Sequence, residues 1–302
     1  MEKIEIAKFR KPDEAKIKNI KQNLFYRSQA SIDNYENFVW HQYSDKHNSS
    51  QALAIDFWGC LKNSPLKVQI INMLFGKDCE SWKISLEYTD KSLMSEIIPT
   101  QIDILFENEH HAIIIESKFK EREGGSCSQT KGTKDCEYQC DGNYKSQTNR
   151  ANRTYTGKSK CALTGKGIKY WDFISTLTTF DKNETYVPCP FKGEEFQWMR
   201  NICFTEAYSK KNNKKGESYL VYYKSNKCPI SKKINDDTYL GKLKGNILNP
   251  QSFQPLAYND LLENVINFLN AIDINEQRVW LELKKWMSDK ESKLLKNRKD
   301  LS

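Results

Sequence analysis

Residues 99–123, PTQIDILFENEHHAIIIESKFKERE, contain the pattern that decides the fold. Two apolar runs, 100–107 and 111–119, are joined by a polar turn, which is typical of a β-hairpin. The alternating run SWKISLEY at 81–88 precedes them, so the three runs together predict an antiparallel meander. The last run is apolar on consecutive positions, as expected of a central strand that is covered on both faces.

Helical patterns lie on both sides of this meander. Before it, apolar residues recur at helical spacing, with a cap at Asp13 and a stop at Gly76. The individual elements are predicted as helices at 15–30, 48–61, 64–76, 193–210, 258–272 and 275–287 and a further strand at 218–225. This order predicts an α/β protein with a mixed central sheet flanked by helices, in which the helical residues 1–76 pack on a core formed by residues 77–302.

The composition indicates a folded protein with a basic surface. The chain has 302 residues and a formal net charge of +8, which would suit a polyanionic partner. Scattered lysines are more often a solvated face, however, so the charge alone is a weak signal. The sequence contains no apolar run near the roughly 20 residues of a membrane span and no signal-peptide core at its start, so we expect a cytoplasmic protein.

Three charged residues lie within the two apolar strands, where such residues are rare. Side chains alternate along a strand, so Glu116 and Lys118 face the same way, and Asp103 on the neighbouring strand can approach Glu116. Two carboxylates in a low-dielectric site repel unless a cation separates them, and Mg²⁺ accepts a few carboxylates together with water and phosphate oxygens. A lysine beside an attacking water and a phosphate offsets the charge that develops there. The pattern favours phosphodiester hydrolysis; the alternative is an ordinary ion pair at the end of a strand, with Asp103 supporting the turn.

At these positions the chain resembles the PD-(D/E)XK nucleases, which have the restriction-endonuclease-like fold. The motif reads Pro99, Asp103 and Glu116-Ser117-Lys118, although the first two residues are adjacent in the standard motif and are separated here. The resemblance implies a restriction-endonuclease-like core in which Asp103 and Glu116 hold Mg²⁺ and Lys118 is catalytic.

Two further motifs resemble a subgroup of bacterial restriction-endonuclease-like proteins. SSQAL at 49–53 precedes FWG at 57–59, and FQWMRN at 196–201 matches a helix that carries tyrosine at its first position. The resemblance spans about residues 45–265. Because Phe196 replaces that tyrosine, any role of its hydroxyl group is absent.

Three polar residues of these motifs are candidate substrate-binding residues. A glutamine on a helix, such as Gln51 or Gln197, can donate a hydrogen bond to a DNA phosphate, and Arg200 shares the helix face of Gln197. The alternative is a helix surface or cap position. Glu80 and Glu87, on either side of the first predicted strand, can each add a third carboxylate, but the sequence favours neither.

Four cysteines fall within a polar, glycine-bearing insertion at about 121–165, namely Cys127, Cys136, Cys140 and Cys161. Thiolates grouped in a segment too polar to fold by burial favour a structural Zn²⁺ site, with Cys189 as a substitute ligand. Their spacing is not the usual CxxC pair, so an iron–sulfur cluster and a metal-free module remain alternatives.

Together these patterns predict a Mg²⁺-dependent endonuclease that hydrolyses double-stranded DNA, with a sequence-specific, restriction-type activity. Cutting both strands usually needs two active sites, so we expect a homodimer. The alternatives are a structure-selective nuclease or an exonuclease in DNA repair or defence, and a non-catalytic nucleic-acid-binding protein.

Overall fold

The computed structural model describes residues 11–127, 161–174, 189, 191–245, 247–249 and 252–299. It is a mixed α/β structure built on one five-stranded sheet. Within those ranges, no helix has the length and apolar character needed to cross a bilayer.

The predicted N-terminal helices are present, in more pieces than the sequence indicates. They are α1 (Glu14–Gln22), α2 (Tyr26–Gln29), α3 (Ser50–Ala54), a π-helical turn (Ile55–Gly59), α4 (Cys60–Lys62) and α5 (Lys67–Phe75). The Asp13 cap is confirmed, since its Oδ1 accepts from Lys16 N at 2.8 Å, and α5 ends at Gly76 in the left-handed conformation. The helix predicted over 15–30 is interrupted because Phe25 N donates to Asp56 Oδ1 at 2.6 Å instead of continuing the helical ladder.

The sheet confirms the predicted meander and its mixed topology. Its strands lie side by side in chain order: β1 (Lys83–Thr89), β2 (Gln101–Glu107), β3 (His111–Lys118), β4 (Lys215–Tyr222) and β5 (Gln254–Ala257). The first three pair antiparallel, whereas β4 pairs parallel to β3 and β5 parallel to β4. Strand β3 is therefore central, which explains its unbroken apolar run.

The remaining helices lie in the second half of the chain, between β3 and β4, between β4 and β5, and after β5. They are α6 (Ala162–Gly165), α7 (Trp171–Ile174), α8 (Phe196–Asn212), α9 (Pro229–Ile234), α10 (Asp237–Gly245), α11 (Tyr258–Asn270) and α12 (Ile274–Lys299). The helices predicted at 193–210, 258–272 and 275–287 correspond to α8, α11 and α12. Only residues 121–127 and 161–165 of the predicted insertion are described.

Helices cover both faces of the sheet. On one face, Trp58 packs edge-on against Phe106 of β2, and Phe75 of α5 packs against Phe106 and Tyr219. On the other face, α8 packs on the strands, and its Tyr208 donates to Glu107 Oε2 at 2.7 Å. The catalytic candidates thus lie in a sheet held rigidly between two helical layers.

A buried ion pair joins the N-terminal helices to α12. Asp56, in the π-helical turn, is fully buried and accepts hydrogen bonds from Phe25 N, Trp286 Nε1 and Lys290 Nζ. Lys290 is 2 % exposed and also donates to Asn23 O at 2.5 Å. Burial raises the pKa of Asp56 and lowers the pKa of Lys290, so each charge depends on the other.

Candidate active site

Three acidic residues occupy one row across three neighbouring strands. The register pairs Ile104 with Ile115, so the next opposed positions at the end of β3 belong to Asp103 and Glu116. On the other side of β2, Glu87 of β1 lies between two paired positions and opposite Asp103. The sheet register therefore places the three acidic residues side by side on neighbouring strands.

Hydrogen bonds fix the two carboxylates that the sequence identified. Asp103 Oδ2 accepts from the backbone N–H of Ser117 at 2.6 Å. Glu116 uses both oxygens, with Oε1 accepting from Lys118 Nζ at 2.5 Å and Oε2 from Asn201 Nδ2 at 2.6 Å. Glu116 and Lys118 are both buried, so this is not the exposed ion pair of the alternative interpretation. The structure brings Asp103, Glu116 and Lys118 into one cluster; their catalytic roles stay predictions.

On the opposite face of β3, the side chain of Ser117 is held by a hydrogen bond. Ser117 points away from the carboxylates, as alternation requires, and its Oγ lies 2.5 Å from the hydroxyl of Tyr258. That hydroxyl also accepts from Trp58 Nε1 at 3.0 Å. Because the residue between Glu116 and Lys118 is anchored in the core, the two side chains have little freedom to move along the strand.

The four ionisable groups of the site differ in the direction and cause of their pKa shifts. Burial, reinforced by the negative charge of Glu116, raises the pKa of Asp103 to about 8. Burial and the charge of Asp103 raise the pKa of Glu87 well above its usual value. Burial acts the same way on Glu116, but Lys118 outweighs it and lowers the pKa of Glu116. Burial lowers the pKa of Lys118, but the surrounding carboxylates outweigh it and raise the pKa, so the side chain is an ammonium ion.

Glu87 sits in a strained backbone conformation. Its φ angle is +53°, in the left-handed region that non-glycine residues rarely adopt. This residue reverses the alternation of β1: Leu86 packs against the small core around Ile20 and Ile55, whereas Tyr88 packs on Phe204 of α8. Glu80 and Glu87 are equal candidates for a third carboxylate by sequence, but Glu80 is exposed and lies before the strand. Strand pattern alone does not reveal a left-handed residue.

His41 is a site residue that the sequence analysis did not identify. Its Nε2 lies 3.9 Å from Glu87 Oε2, and its side chain is 48 % exposed. It lies in an irregular segment between α2 and α3, where no periodic pattern marks it. Gln101 Nε2 donates to the same Glu87 oxygen from the facing strand.

Gln51 holds the loop that carries His41. Its Oε1 accepts from His41 N at 2.9 Å and from Ser44 Oγ at 2.5 Å, and its Nε2 donates to Val39 O at 2.8 Å. Gln51 is 2 % exposed. The structure thus places this residue as a buried anchor behind the site, and its predicted contact with substrate stays a prediction.

Gln197 and Arg200 line a cavity of about 680 Å³ that also borders Glu121 and Arg122. The positive charge of Arg200 contributes to the lowered pKa of Glu116, and its guanidinium lies 5.6 Å from the ring centre of Phe196. Asn201, the next residue, is buried and holds Glu116 directly. Asn201 lies in the FQWMRN motif, where the sequence pattern indicates no such role.

The carboxyl groups fit a hard divalent cation by the chemistry of their donors. Burial, and after it the negative charge of a neighbouring carboxyl group, raises the pKa values of Asp103 and Glu87, and a cation between the carboxyl groups would offset both effects. Mg²⁺ needs only one or two protein carboxylates. In the described part of the chain, no three His, Cys, Asp or Glu side chains are grouped closely enough to hold a metal ion by themselves.

The predicted zinc site cannot be assembled from the described residues. Cys136 and Cys140 lie outside them, whereas Cys127 is buried and Cys161 and Cys189 are partly buried. Cys127 N donates to Phe191 O at 3.2 Å, which brings Cys127 near the segment that follows Cys189. The zinc site therefore stays a prediction.

A family model described as "Restriction Endonuclease associating with ARP", REase-ARP, matches residues 3–297. The comparisons with curated proteins and with solved structures found no match. Because the family match extends over nearly the whole chain, the protein belongs to the REase-ARP family of restriction-endonuclease-like proteins.

Proposed function

We propose that this protein is a Mg²⁺-dependent DNA endonuclease with a PD-(D/E)XK active site formed by Asp103, Glu116 and Lys118. The observation that carries the proposal is the row of carboxyl groups at the end of β3, next to a buried ammonium group. Membership of the REase-ARP family supports a nuclease, and the net charge of +8 suits a DNA partner.

Asp103 and Glu116 would hold the cation, which supplies Lewis-acid activation of the phosphate and the attacking water. Ser117 N–H keeps Asp103 in position, and Asn201 does the same for Glu116. Because Lys118 is an ammonium ion, its task is to offset negative charge on the phosphate rather than to take a proton.

Glu87 and His41 extend the site on its β1 side. Burial, together with the charge of Asp103, raises the pKa of Glu87, so this carboxyl group gives up its proton less readily than an ordinary glutamate. A bound cation would act in the opposite direction, since it favours the ionised form. We propose Glu87 as an additional carboxylate of the site, with Gln101 fixing its orientation.

We further propose a restriction-type, sequence-specific action on double-stranded DNA, which membership of the REase-ARP family supports, and a homodimer that cuts both strands. We also propose a structural Zn²⁺ held by Cys127, Cys136, Cys140 and Cys161. Elemental analysis of the purified protein and of Cys136→Ser tests the zinc, and the absence of any bound metal would refute it.

The nuclease is tested by incubating plasmid DNA with the purified protein in Mg²⁺ or in EDTA. Lys118→Met should abolish cleavage, whereas Lys83→Met should retain it, because Lys83 lies on β1 with a side chain that is 70 % exposed. Discrete fragments support restriction and a smear supports an exonuclease. Mobility retardation without cleavage in Mg²⁺ would leave only the non-catalytic DNA-binding alternative.

A further inference from the structure

A second cavity, of about 710 Å³, opens beside the carboxylate row. One wall is the segment between α2 and α3, with His41 and Tyr43, and the other is the chain that continues from β3, with Lys120 and Arg122. The cavity adjoins the candidate active site, because His41 belongs to its wall and lies 3.9 Å from Glu87. Its volume is within the range of about 300–1,000 Å³ that is usual for small-ligand sites.

The charged groups of this cavity suit an anionic ligand. Lys120 and Arg122 are exposed, and neither forms an ion pair with any residue in the described part of the chain. Lys46 contributes a third cation, which is 60 % exposed and lies 3.2 Å from Asp45. The acidic Glu121 is partly engaged, since its Oε2 accepts from Phe119 N at 2.9 Å. Lys120 and Arg122 follow Lys118 by two and four residues, so they are close enough along the chain to contact phosphates next to the reacting one.

Tyr43 presents an aromatic ring to the same cavity from a rigid loop. The residue is 61 % exposed, which is unusual for a large aromatic side chain. Asn23 Nδ2 clamps the loop by donating to Ser44 O at 3.0 Å and to Lys46 O at 2.8 Å, and Gln51 holds it on the other side. The backbone that carries the ring is therefore held in place while the ring itself stays exposed, as in proteins that stack unpaired bases on an exposed aromatic residue.

We infer that this cavity binds an unpaired nucleotide of the substrate next to the scissile phosphate, with its base stacked on Tyr43 and its phosphates against Lys120 and Arg122. This inference rests on the proposed function and specifies the substrate of that function as DNA with an unpaired nucleotide. The unpaired nucleotide comes either from single-stranded DNA or from a base displaced out of a duplex, and the cavity serves both in the same way.

The test measures DNA binding in EDTA, where cleavage is prevented, by the fluorescence anisotropy of three labelled ligands. They are a single strand of 20 thymidines, a fully paired duplex of 20 base pairs, and the same duplex with one bulged thymidine. The proteins are the wild type, Tyr43→Ala, Tyr43→Phe and Tyr26→Ala. Tyr26 is a matched control because it is 57 % exposed and its hydroxyl contacts Glu282, outside the cavity.

Tyr43→Ala should weaken binding of the single strand and of the bulged duplex by about 5- to 100-fold. Tyr43→Phe should stay within about twofold of the wild type because it retains the stacking ring, and Tyr26→Ala should match the wild type. If the protein does not displace a nucleotide from paired DNA, Tyr43→Ala should weaken binding of the fully paired duplex less than binding of the bulged duplex. An equal loss of affinity for the two duplexes would indicate that the wild-type protein extrudes a base from paired DNA. Both outcomes support the inference.

Equal affinities of wild type and Tyr43→Ala for the single strand and the bulged duplex would overturn the inference. If the wild-type protein cuts plasmid DNA in Mg²⁺ in that case, the proposed nuclease function stands and only the proposed nucleotide site is wrong. A protein that neither binds any of the three ligands nor cuts plasmid DNA would overturn both. Unchanged thermal melting of Tyr43→Ala confirms that the exposed residue was removed without damage to the fold.

Discussion

Replacing Asp103 by asparagine should stabilise the metal-free protein while it removes cleavage. The wild-type carboxyl group is held beside Glu116 and Glu87 in a site that disfavours its ionised form. Asparagine keeps the oxygen that accepts from Ser117 N and introduces no charge. A variant that is inactive and more stable would mark Asp103 as a residue retained for function at the expense of the fold.

The magnitude follows from the shift of the Asp103 pKa, from an ordinary 3.8 to about 8. Below pH 3.8 the carboxyl group is protonated in both the native and the unfolded chain, so it costs nothing. As the pH rises the unfolded chain ionises freely and the native state does not, which lowers the free energy of unfolding by about 1.4 kcal/mol per pH unit until about pH 8. At pH 7 this is about 4 kcal/mol, and sharing of the proton with Glu87 reduces it, so we expect the substitution to gain about 2–4 kcal/mol.

Urea unfolding in EDTA at pH 4.5 and pH 7.5 measures this effect. The advantage of Asp103→Asn should be small at pH 4.5 and large at pH 7.5. Glu107→Gln, on the same strand, is the control of opposite sign: burial raises the pKa of Glu107, but hydrogen bonds from Lys214, Lys83 and Tyr208 lower it to about 2. That variant should lose stability at pH 7.5. An Asp103→Asn protein that is no more stable than the wild type at pH 7.5 would refute the reasoning.

Three further substitutions test how the site is supported. Asn201→Ala should lower the free energy of unfolding by about 1–3 kcal/mol, because Glu116 loses a buried donor, and should weaken Mg²⁺ binding measured by calorimetry. Gln51→Ala removes three hydrogen bonds of a buried side chain and should increase proteolysis of the loop before α3, while unchanged cleavage kinetics by trypsin would contradict its anchoring role. Lys290→Met should cost about 3–5 kcal/mol in urea unfolding by leaving Asp56 unpaired, and combining it with Asp56→Asn should recover part of that loss if the charge is the cause.

The central strands could be predicted from the sequence because local pattern and tertiary environment agree there. The runs at 81–88, 100–107 and 111–119 became β1, β2 and β3 with shifts of one or two residues at their ends. Strand β5 escaped prediction because it has four residues and includes Pro255, so it provides neither length nor alternation. The π-helical turn was also missed, since its residues continue a helical pattern on both sides.

The site was predictable where it depends on alternation and register, and not where it depends on chain folding. Glu116 and Lys118 share a face by spacing alone, and Asp103 joins them through a short hairpin. His41 and Asn201 reach the same place from segments about 60 and 100 residues along the chain from Asp103, and only tertiary structure shows it. Glu87 required knowledge of a left-handed backbone angle, which no sequence pattern encodes for glutamate.

The pair formed by Asp56 and Lys290 bears on how the protein can be divided. Asp56 lies in the π-helical turn and Lys290 lies in α12, 234 positions further along the chain. Without its partner, each residue would be a buried charge with no opposite charge to compensate it. A fragment that ends before α12 therefore keeps all the carboxylates of the site but contains an acid that its own core cannot neutralise. Engineering of a shorter version of this protein has to begin by replacing Asp56 with an uncharged residue.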